Sequence, residues 1–254
     1  MAIQKAEAFV LRAQPFRTSS LLVTTFTRPF GKIKGIAKGV VREGNARPST
    51  FEPFTLLEIV FYEKLRSELH LISEASILDP FSPLRTNLES LATAYYLAEL
   101  VDQLTQPHDP HEAIFELLRF SFQWLSSLSP FLVARFFEIR LLSEVGLLPY
   151  LRGCLGCGKE NPEKIYFSVR QGAIFCFDCR KKYPDSRPFS LTALERMRSF
   201  LGKDTNEMIQ GSGSDRADQE IAELIARFLS DRLGKKLSTQ RFLKQVQSVL
   251  VCKT

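Results

Sequence analysis

Four cysteines are the residues whose type and spacing are most typical of a chemical site. Cys154 and Cys157 are separated by two residues, and Cys176 and Cys179 repeat that spacing after eighteen intervening residues. Two residues between cysteines let both thiolates of a tight turn bind one ion, and two such turns supply the tetrahedral sulfur set that zinc prefers. Because sulfur fills all four positions and leaves none for water, the spacing predicts one structural Zn²⁺ ion.

Two disulfides or four free thiols are the alternatives to a metal site. Disulfides are rare in cytosolic proteins. A cytoplasmic location is expected here because Lys5, Glu7 and Arg12 stand where a signal peptide would be apolar. The segment KIYFSVRQGAIFC between the cysteine pairs predicts a hairpin that turns at Gln171-Gly172, as in a zinc ribbon. The fifth cysteine, Cys252, has no ligand-type neighbour in sequence and is interpreted as incidental.

Catalytic motifs are missing from the sequence. His70, His108 and His111 have no metal-type or nucleophile neighbours, and the phosphate-binding, nucleophile-elbow and zinc-protease motifs do not occur. We therefore expect a protein that is not an enzyme.

Positive charge is concentrated in the first fifty residues. The whole chain has a net charge of +6, whereas this segment holds nine cations and two anions. Cations interleaved with aromatic rings are typical of single-stranded nucleic-acid binding, and Phe16 and Phe30 are the nearby rings. The alternatives are a solvated strand face for the cations and core packing for the rings. The candidate DNA-binding residues are Arg12, Arg17, Lys32, Lys34, Lys38, Arg42 and Arg47.

Five short runs rich in β-branched and aromatic residues predict strands in the first eighty residues. Glycines recur at 31, 35 and 39, where a small barrel needs bends. The pattern predicts a five-stranded OB-fold β-barrel over residues 1–80, and an SH3-like barrel fits nearly as well. Lys32, Lys34 and Lys38 share strand parity and are expected on one side of the third strand. The predicted runs are 6–13, 20–27, 33–41, 55–62 and 69–75.

Helical periodicity replaces strand alternation after Pro80 and Pro83. Residues 81–149 and 189–254 are predicted to form an all-α domain, with a buried helix that starts at Pro130 and stops before Gly146. A capping box from Thr192 to Glu195 is expected to open a later helix. Residues 150–188 form the predicted zinc-ribbon-like module, so the fold class is multi-domain α+β.

With these residues in view, the sequence resembles the RecO family of bacterial recombinational repair proteins. The stretches AFVLR (8–12), LLVTTFT (21–27), GKIKGIAKGV (31–40), FEPFTLLEI (51–59) and LLSEVGLLPYLRGCLGC (141–157) are the most family-like. The resemblance covers the barrel, the helical domain and the cysteine module in that order. The segment from Pro15 to Ser20 departs from the family pattern, since it carries Arg17 where acidic residues are common.

The resemblance implies an OB-fold that binds single- and double-stranded DNA, anneals complementary strands and helps load RecA onto DNA coated by single-strand-binding protein. It implies two protein partners, RecR and the acidic tail of single-strand-binding protein, and a location at the bacterial nucleoid. A basic, apolar groove near Arg119, Arg135 or Arg140 is the hypothesis for binding that tail. A zinc-containing interaction scaffold and an RNA-binding protein are the alternative functions.

Overall fold

The computed structural model describes residues 2–40, 49–63, 68–202 and 215–251. The chain divides into two compact units, Met1–Ser127 with Arg241–Thr254 and Leu128–Gln240. The predicted domain boundaries at residues 80, 149 and 188 stay predictions. In the described part of the chain, no helix is long and apolar enough to span a membrane.

The first unit is built on five strands that pair in a closed order. Strand β1 is antiparallel to β2 and β4, β3 is antiparallel to β2 and parallel to β5, and β5 is antiparallel to β4. Each strand therefore has two neighbours, and the order β1-β2-β3-β5-β4 closes into a barrel. The strands are β1 Ala2–Phe16, β2 Ser20–Thr27, β3 Gly31–Ala37, β4 Leu56–Glu63 and β5 Leu69–Asp79.

Alternation along these strands fills the barrel interior. Val10, Val23 and Ile33 are 0–2% exposed and join Leu57 and Ile59 in one apolar core. Phe30 packs on the same core, with its ring edge-on to Phe61. Because successive side chains in a strand point to opposite faces, the residues between these positions lie on the outside of the barrel.

Helices cover one end of that outer surface. Helix α1 (Leu88–Leu104) starts at Asn87, whose side chain accepts hydrogen bonds from two backbone N–H groups, and α2 is Glu112–Trp124. Phe9 of β1 lies outside the barrel, with ring centroids 4.9 Å from Phe115 and 5.5 Å from Phe122 of α2. This aromatic cluster is fully buried and provides much of the hydrophobic stabilisation between strand and helix.

The connection between α1 and α2 lies against the start of β3. The His108 backbone N–H donates to the Lys32 carbonyl oxygen at 3.0 Å. Gly31 has a left-handed φ of +62°, and a Cβ there would overlap the Asp109 carbonyl group. Glycine is therefore required at this close backbone approach.

The second unit combines helices with a three-stranded sheet. Strands β6 and β7 form the predicted hairpin, which turns at Gly172 with a φ of +60°, and β8 pairs with β6. Helix α3 is buried along most of its length, as predicted, and α5 packs against α3 and α4. The elements are α3 Pro130–Glu144, β6 Ile165–Ser168, β7 Ala173–Cys176, β8 Arg187–Phe189, α4 Leu191–Ser199 and α5 Asp215–Leu233. The last helix, α6, is Ser238–Val251, and its residues from Arg241 onward belong to the first unit.

The predicted capping box is wrong. Helix α4 begins one residue before Thr192, and its N-cap is Ser190, whose hydroxyl accepts from the Ala193 N–H at 3.1 Å. Glu220 of α5 completes the cap by accepting from both the backbone N–H and the hydroxyl of Ser190. The cap therefore combines a local bond within α4 with a long-range one to α5.

Candidate nucleic-acid interface and metal centre

The outer surface of β1, β2 and β3 is arranged in rows across the three strands. Residues opposite one another in an antiparallel pair point to the same face. The row of Phe9, Phe26 and Lys32 lies under the helices and is buried. The next row is Arg12, Thr24 and Lys34, in which Arg12 and Lys34 are exposed on either side of Thr24. The uncovered part of the outer face therefore begins with two cations.

A β-bulge brings Arg12 to this face. The register shifts between Val10 and Arg12, so that Val10 is opposite Thr25 while Arg12 is opposite Thr24. In a regular strand Arg12 would point inward with Val10, because they are two residues apart. The extra residue, Leu11, reverses the alternation and turns the guanidinium of Arg12 outward.

Two further predicted cations, Arg17 and Lys38, lie beyond this row, at the barrel end where β1 turns into β2 and β3 ends. Leu21 is opposite both Pro15 and Ala37, which places the β1–β2 turn beside the end of β3. Arg17 occupies that turn with a φ of +56° and its guanidinium 5.4 Å from the Phe16 ring centroid. Lys38 follows β3 directly and is exposed. Arg12, Arg17, Lys34 and Lys38 together are called the basic face.

The four cations of the basic face have no carboxylate within ion-pair distance among the described residues, unlike other cations of this region. Lys5 pairs with Glu58 at 2.8 Å. Arg28 contacts three glutamates, Glu7, Glu112 and Glu116. Burial disfavours the Arg28 charge, but hydrogen bonds to Glu116 and Glu7 outweigh it and raise its pKa.

The expectation that Lys32 shares an open surface with Lys34 and Lys38 is wrong. Lys32 is 7% exposed, its ammonium donates to the Asp102 carbonyl oxygen, and it lies 3.4 Å from the Asp102 carboxylate. Burial lowers the pKa of Lys32, while Asp102 partly offsets the effect. The parity prediction was right about the side of the strand, but α1 covers that side at Lys32. Two other candidates, Arg42 and Arg47, lie outside the described residues.

A pair of variants separates these two lysines. Lys32→Met removes a buried, charge-assisted hydrogen bond, so we expect a loss of about 1–2 kcal/mol in unfolding free energy, measured by urea denaturation. Its affinity for single-stranded DNA should stay within about two-fold of the parent, since the lost charge faces Asp102. Lys34→Met is the matched control, with unchanged stability and weaker DNA binding. Weaker DNA binding by a stably folded Lys32→Met protein would contradict the assignment of Lys32 to stability and Lys34 to DNA binding.

The four predicted metal ligands converge in the second unit. Their sulfur atoms all lie within 4.8 Å of one another. The first cysteine turn packs closely on the second, because a Cβ at Gly156 would lie only 3.0 Å from the Cys179 sulfur. The Cys154 backbone closes the turn by donating to the Lys159 carbonyl at 2.8 Å. The sequence spacing therefore identified a real cluster, and the hairpin is what brings its two halves together.

Backbone donors favour the thiolate form of one ligand. The Cys176 N–H donates to the Cys154 sulfur at 3.3 Å. Burial opposes ionisation, but donors from Cys176, Cys157 and Gly156 outweigh it and lower the pKa of Cys154 to about 7. Metal-binding cysteines must be deprotonated. Four converging sulfurs, with backbone donors aimed at that of Cys154, therefore fit a soft divalent cation.

The three arginines considered for a protein-tail groove are engaged elsewhere. Arg119 pairs with Glu116 at 2.5 Å in the first unit. Within the second unit, Arg135 is buried and forms a two-pronged pair with Glu138. Arg140 donates to the carbonyls of Leu201 and Gly202 at 3.3 and 3.4 Å. The tail groove near these arginines stays a prediction.

Comparison with known proteins covers nearly the whole chain. Residues 1–81 match the family model described as Recombination protein O N terminal, and residues 85–241 match Recombination protein O C terminal. The chain is 32% identical over 255 residues to the DNA repair protein RecO of Syntrophus aciditrophicus, covering 97% of both chains. It is also 32% identical over 252 residues to the DNA repair protein RecO of Anaeromyxobacter sp. (strain K), covering 97% of this chain and 98% of the relative.

Proposed function

We propose that this chain, which belongs to the RecO family of DNA repair proteins, is a non-enzymatic recombination mediator. In this proposal it binds single- and double-stranded DNA and anneals complementary single strands. It also helps load RecA onto DNA coated by single-strand-binding protein. Its protein partners are RecR and the acidic tail of single-strand-binding protein.

The basic face is the observation that carries this proposal. Arg12 and Lys34 are two strand spacings apart, about 10 Å, on a surface that the helices leave open. Phe16, Leu22 and Ile36 are half-buried beside them and offer apolar contact area. Cations that follow a backbone, with apolar and aromatic groups between them for the bases, are the usual means of binding single strands.

The strand order supports an OB-type barrel over an SH3-like one. The barrel closes through the parallel pairing of β3 with β5 and the antiparallel pairing of β1 with β4. OB-folds present the face of strands 2 and 3 to oligonucleotides. In this chain, those strands carry Lys34 at the uncovered end, so the proposed DNA path crosses β2 and β3.

We propose that the four-cysteine centre holds one Zn²⁺ ion with a structural role. When bound, zinc supplies four bonds that link the two cysteine turns. The second turn follows β7 directly, and Gly172 at the tip of the hairpin is in close contact with Phe228 and Arg232 of α5. The ion therefore stabilises a hairpin that is itself packed on the helices of the second unit.

Charge reversal tests the DNA-binding surface. Lys34→Glu/Lys38→Glu should weaken binding to oligothymidine about ten-fold or more, because two phosphate contacts become repulsions. The slope of log affinity against log salt should fall by about 2. Lys235→Glu/Lys236→Glu is the matched control, since it changes the net charge equally at two exposed positions of the second unit. Equal weakening by both variants, measured by fluorescence anisotropy, would show that only net charge matters.

An annealing assay tests the mediator role. The full-length protein should speed the annealing of complementary strands coated by single-strand-binding protein, and Lys34→Glu/Lys38→Glu should lose that activity. Competition with RNA of the same sequence distinguishes the RNA-binding alternative, which requires RNA to displace DNA. Absence of DNA binding at low salt would favour the scaffold alternative.

A further inference from the structure

The second unit carries a separate concentration of cations and rings around its second cysteine turn. A short 3-10 turn spans Cys179–Lys182 and has the sequence Cys-Arg-Lys-Lys. Residues 151–188 contain eight cations and four anions. We call the surface formed by Tyr166, Phe177, Arg180, Lys181 and Lys182 the aromatic–basic patch.

The Arg180 side chain lies between two aromatic rings of this patch. Its guanidinium carbon is 4.4 Å from the Tyr166 ring centroid and 4.9 Å from that of Phe177, and the two centroids are 6.3 Å apart. The Lys181 ammonium is 5.7 Å from the Phe177 centroid. Cation–π attraction therefore holds these side chains together without an acidic partner.

Several polar groups of the patch lack hydrogen-bond or ion-pair partners among the described residues. The buried Nε of Arg180 has no hydrogen-bond acceptor among the described residues. In the same part of the chain, no carboxylate lies within ion-pair distance of Arg180, Lys181 or Lys182. Phe177 is 47% exposed, so part of its ring remains open to a ligand. Unpaired cations around an exposed ring are suited to an anionic ligand that also has flat apolar faces.

The fold keeps this patch in place. Cys179 of the four-cysteine cluster is the first residue of the 3-10 turn, so the proposed metal site would anchor the turn that carries the three cations. Behind the turn, Tyr183 stacks on Phe175 of β7 with ring centroids 4.0 Å apart. Tyr166 belongs to the central strand β6, between β7 and β8. The patch is thus assembled from a strand, a turn and a metal site.

A shallow groove of about 310 Å³ adjoins the patch at Tyr166. Its other lining residues are Glu163, Lys164, Ile165, Pro188, Phe189, Ser190 and Leu191. The groove extends the apolar surface beyond the ring of Tyr166, and its two charged residues, Lys164 and Glu163, are of opposite sign. It offers room for a chain that continues past the patch.

We propose that the aromatic–basic patch is a second single-stranded DNA contact, distinct from the basic face. A base stacks on the exposed face of Phe177 while phosphates contact Lys181 and Lys182. A single strand is favoured over a duplex because stacking on a side chain needs an unpaired base. It is favoured over an acidic peptide because a carboxylate would pair with the cations and leave the Phe177 ring unused. The inference rests on the proposed DNA-binding function and extends it to the second unit.

Two variants of the full-length protein test the patch. Phe177→Ala should weaken oligothymidine binding by about five-fold or more, the effect of losing one stacking ring. Lys181→Glu/Lys182→Glu should weaken it further and lower the salt slope, while Lys235→Glu/Lys236→Glu serves as the charge-matched control. Phe177→Trp, which keeps a ring, should retain the parent affinity. Zinc content, measured by mass spectrometry, checks that each variant keeps its metal centre.

Photo-crosslinking with oligonucleotides that contain 5-iodouracil gives an independent readout. Crosslinks to Phe177 or Tyr166 are expected, and they should persist in Lys34→Glu/Lys38→Glu. If the parent protein binds no DNA, the proposed function itself fails. If the parent binds DNA but Phe177→Ala and Lys181→Glu/Lys182→Glu bind as the control does, the patch alone is rejected. If Phe177→Ala and Lys181→Glu/Lys182→Glu keep DNA binding but lose binding to an oligo-aspartate peptide, the patch is a protein-docking surface instead.

Discussion

Replacing Cys154 with serine is expected to abolish metal binding and unfold the surrounding module. Cys154 is fully buried, packs with Ala173 and Phe175, and accepts the Cys176 N–H. Structural zinc contributes an apparent binding free energy of about 10–16 kcal/mol in small zinc modules, so its loss removes a large part of local stability. We expect the zinc content to fall from about one ion per chain to near zero. The melting temperature should fall by about 10 °C or more.

Cys252→Ser is the matched control for this experiment. It removes the one cysteine outside the cluster, at a position beyond the described residues, and should leave zinc content and melting temperature unchanged. Metal content is measured by mass spectrometry on reduced, folded protein. A parent protein without zinc under those conditions would refute the assignment, and full retention by Cys154→Ser would refute this ligand set.

Substituting Gly31 by alanine should destabilise the first unit strongly. The new Cβ would overlap the Asp109 carbonyl group and lie 2.9 Å from the Asp109 backbone nitrogen. Backbone atoms cannot move aside as a flexible side chain can, so the α1–α2 connection must shift away from β3. The left-handed φ adds about 1–2 kcal/mol for a residue with a Cβ. We expect a total loss of about 3 kcal/mol or more in unfolding free energy.

Gly39→Ala measures the backbone strain alone, so its difference from Gly31→Ala gives the cost of the overlap with Asp109. Gly39 has a similar φ of +69°, but no atom of the described residues lies within 4 Å of the position that a Cβ would take there. It should therefore cost only the conformational part, about 1–2 kcal/mol. Denaturant unfolding of both variants measures the difference. Equal losses would show that the close approach of Asp109 to Gly31 is unimportant for stability.

Local patterns were enough to predict the four-cysteine cluster and most secondary structure. The spacing of Cys154, Cys157, Cys176 and Cys179 is a property of two tight turns, and the hairpin that joins them is also short-range. The first, second and fourth predicted strands lie within the observed ones or differ from them by one residue at each end. Strand β3 starts two residues before its predicted run and ends at Ala37, short of the predicted end at residue 41, and β5 extends four residues further than expected. These features are determined by interactions between residues close in sequence, so they can be predicted from short sequence patterns.

The basic face depended on contacts that no local pattern encodes. Strand parity placed Lys32 and Lys34 on one side of β3, but only the packing of α1 decided that Lys32 pairs with Asp102 while Lys34 stays open. Regular alternation would have turned Arg12 inward, and the bulge at Leu11 reversed it. The sequence by itself determined which residues carry the charge and which four cysteines form the cluster. Only the tertiary structure decided which charges face solvent, because coverage by a helix and the register between strands are long-range properties.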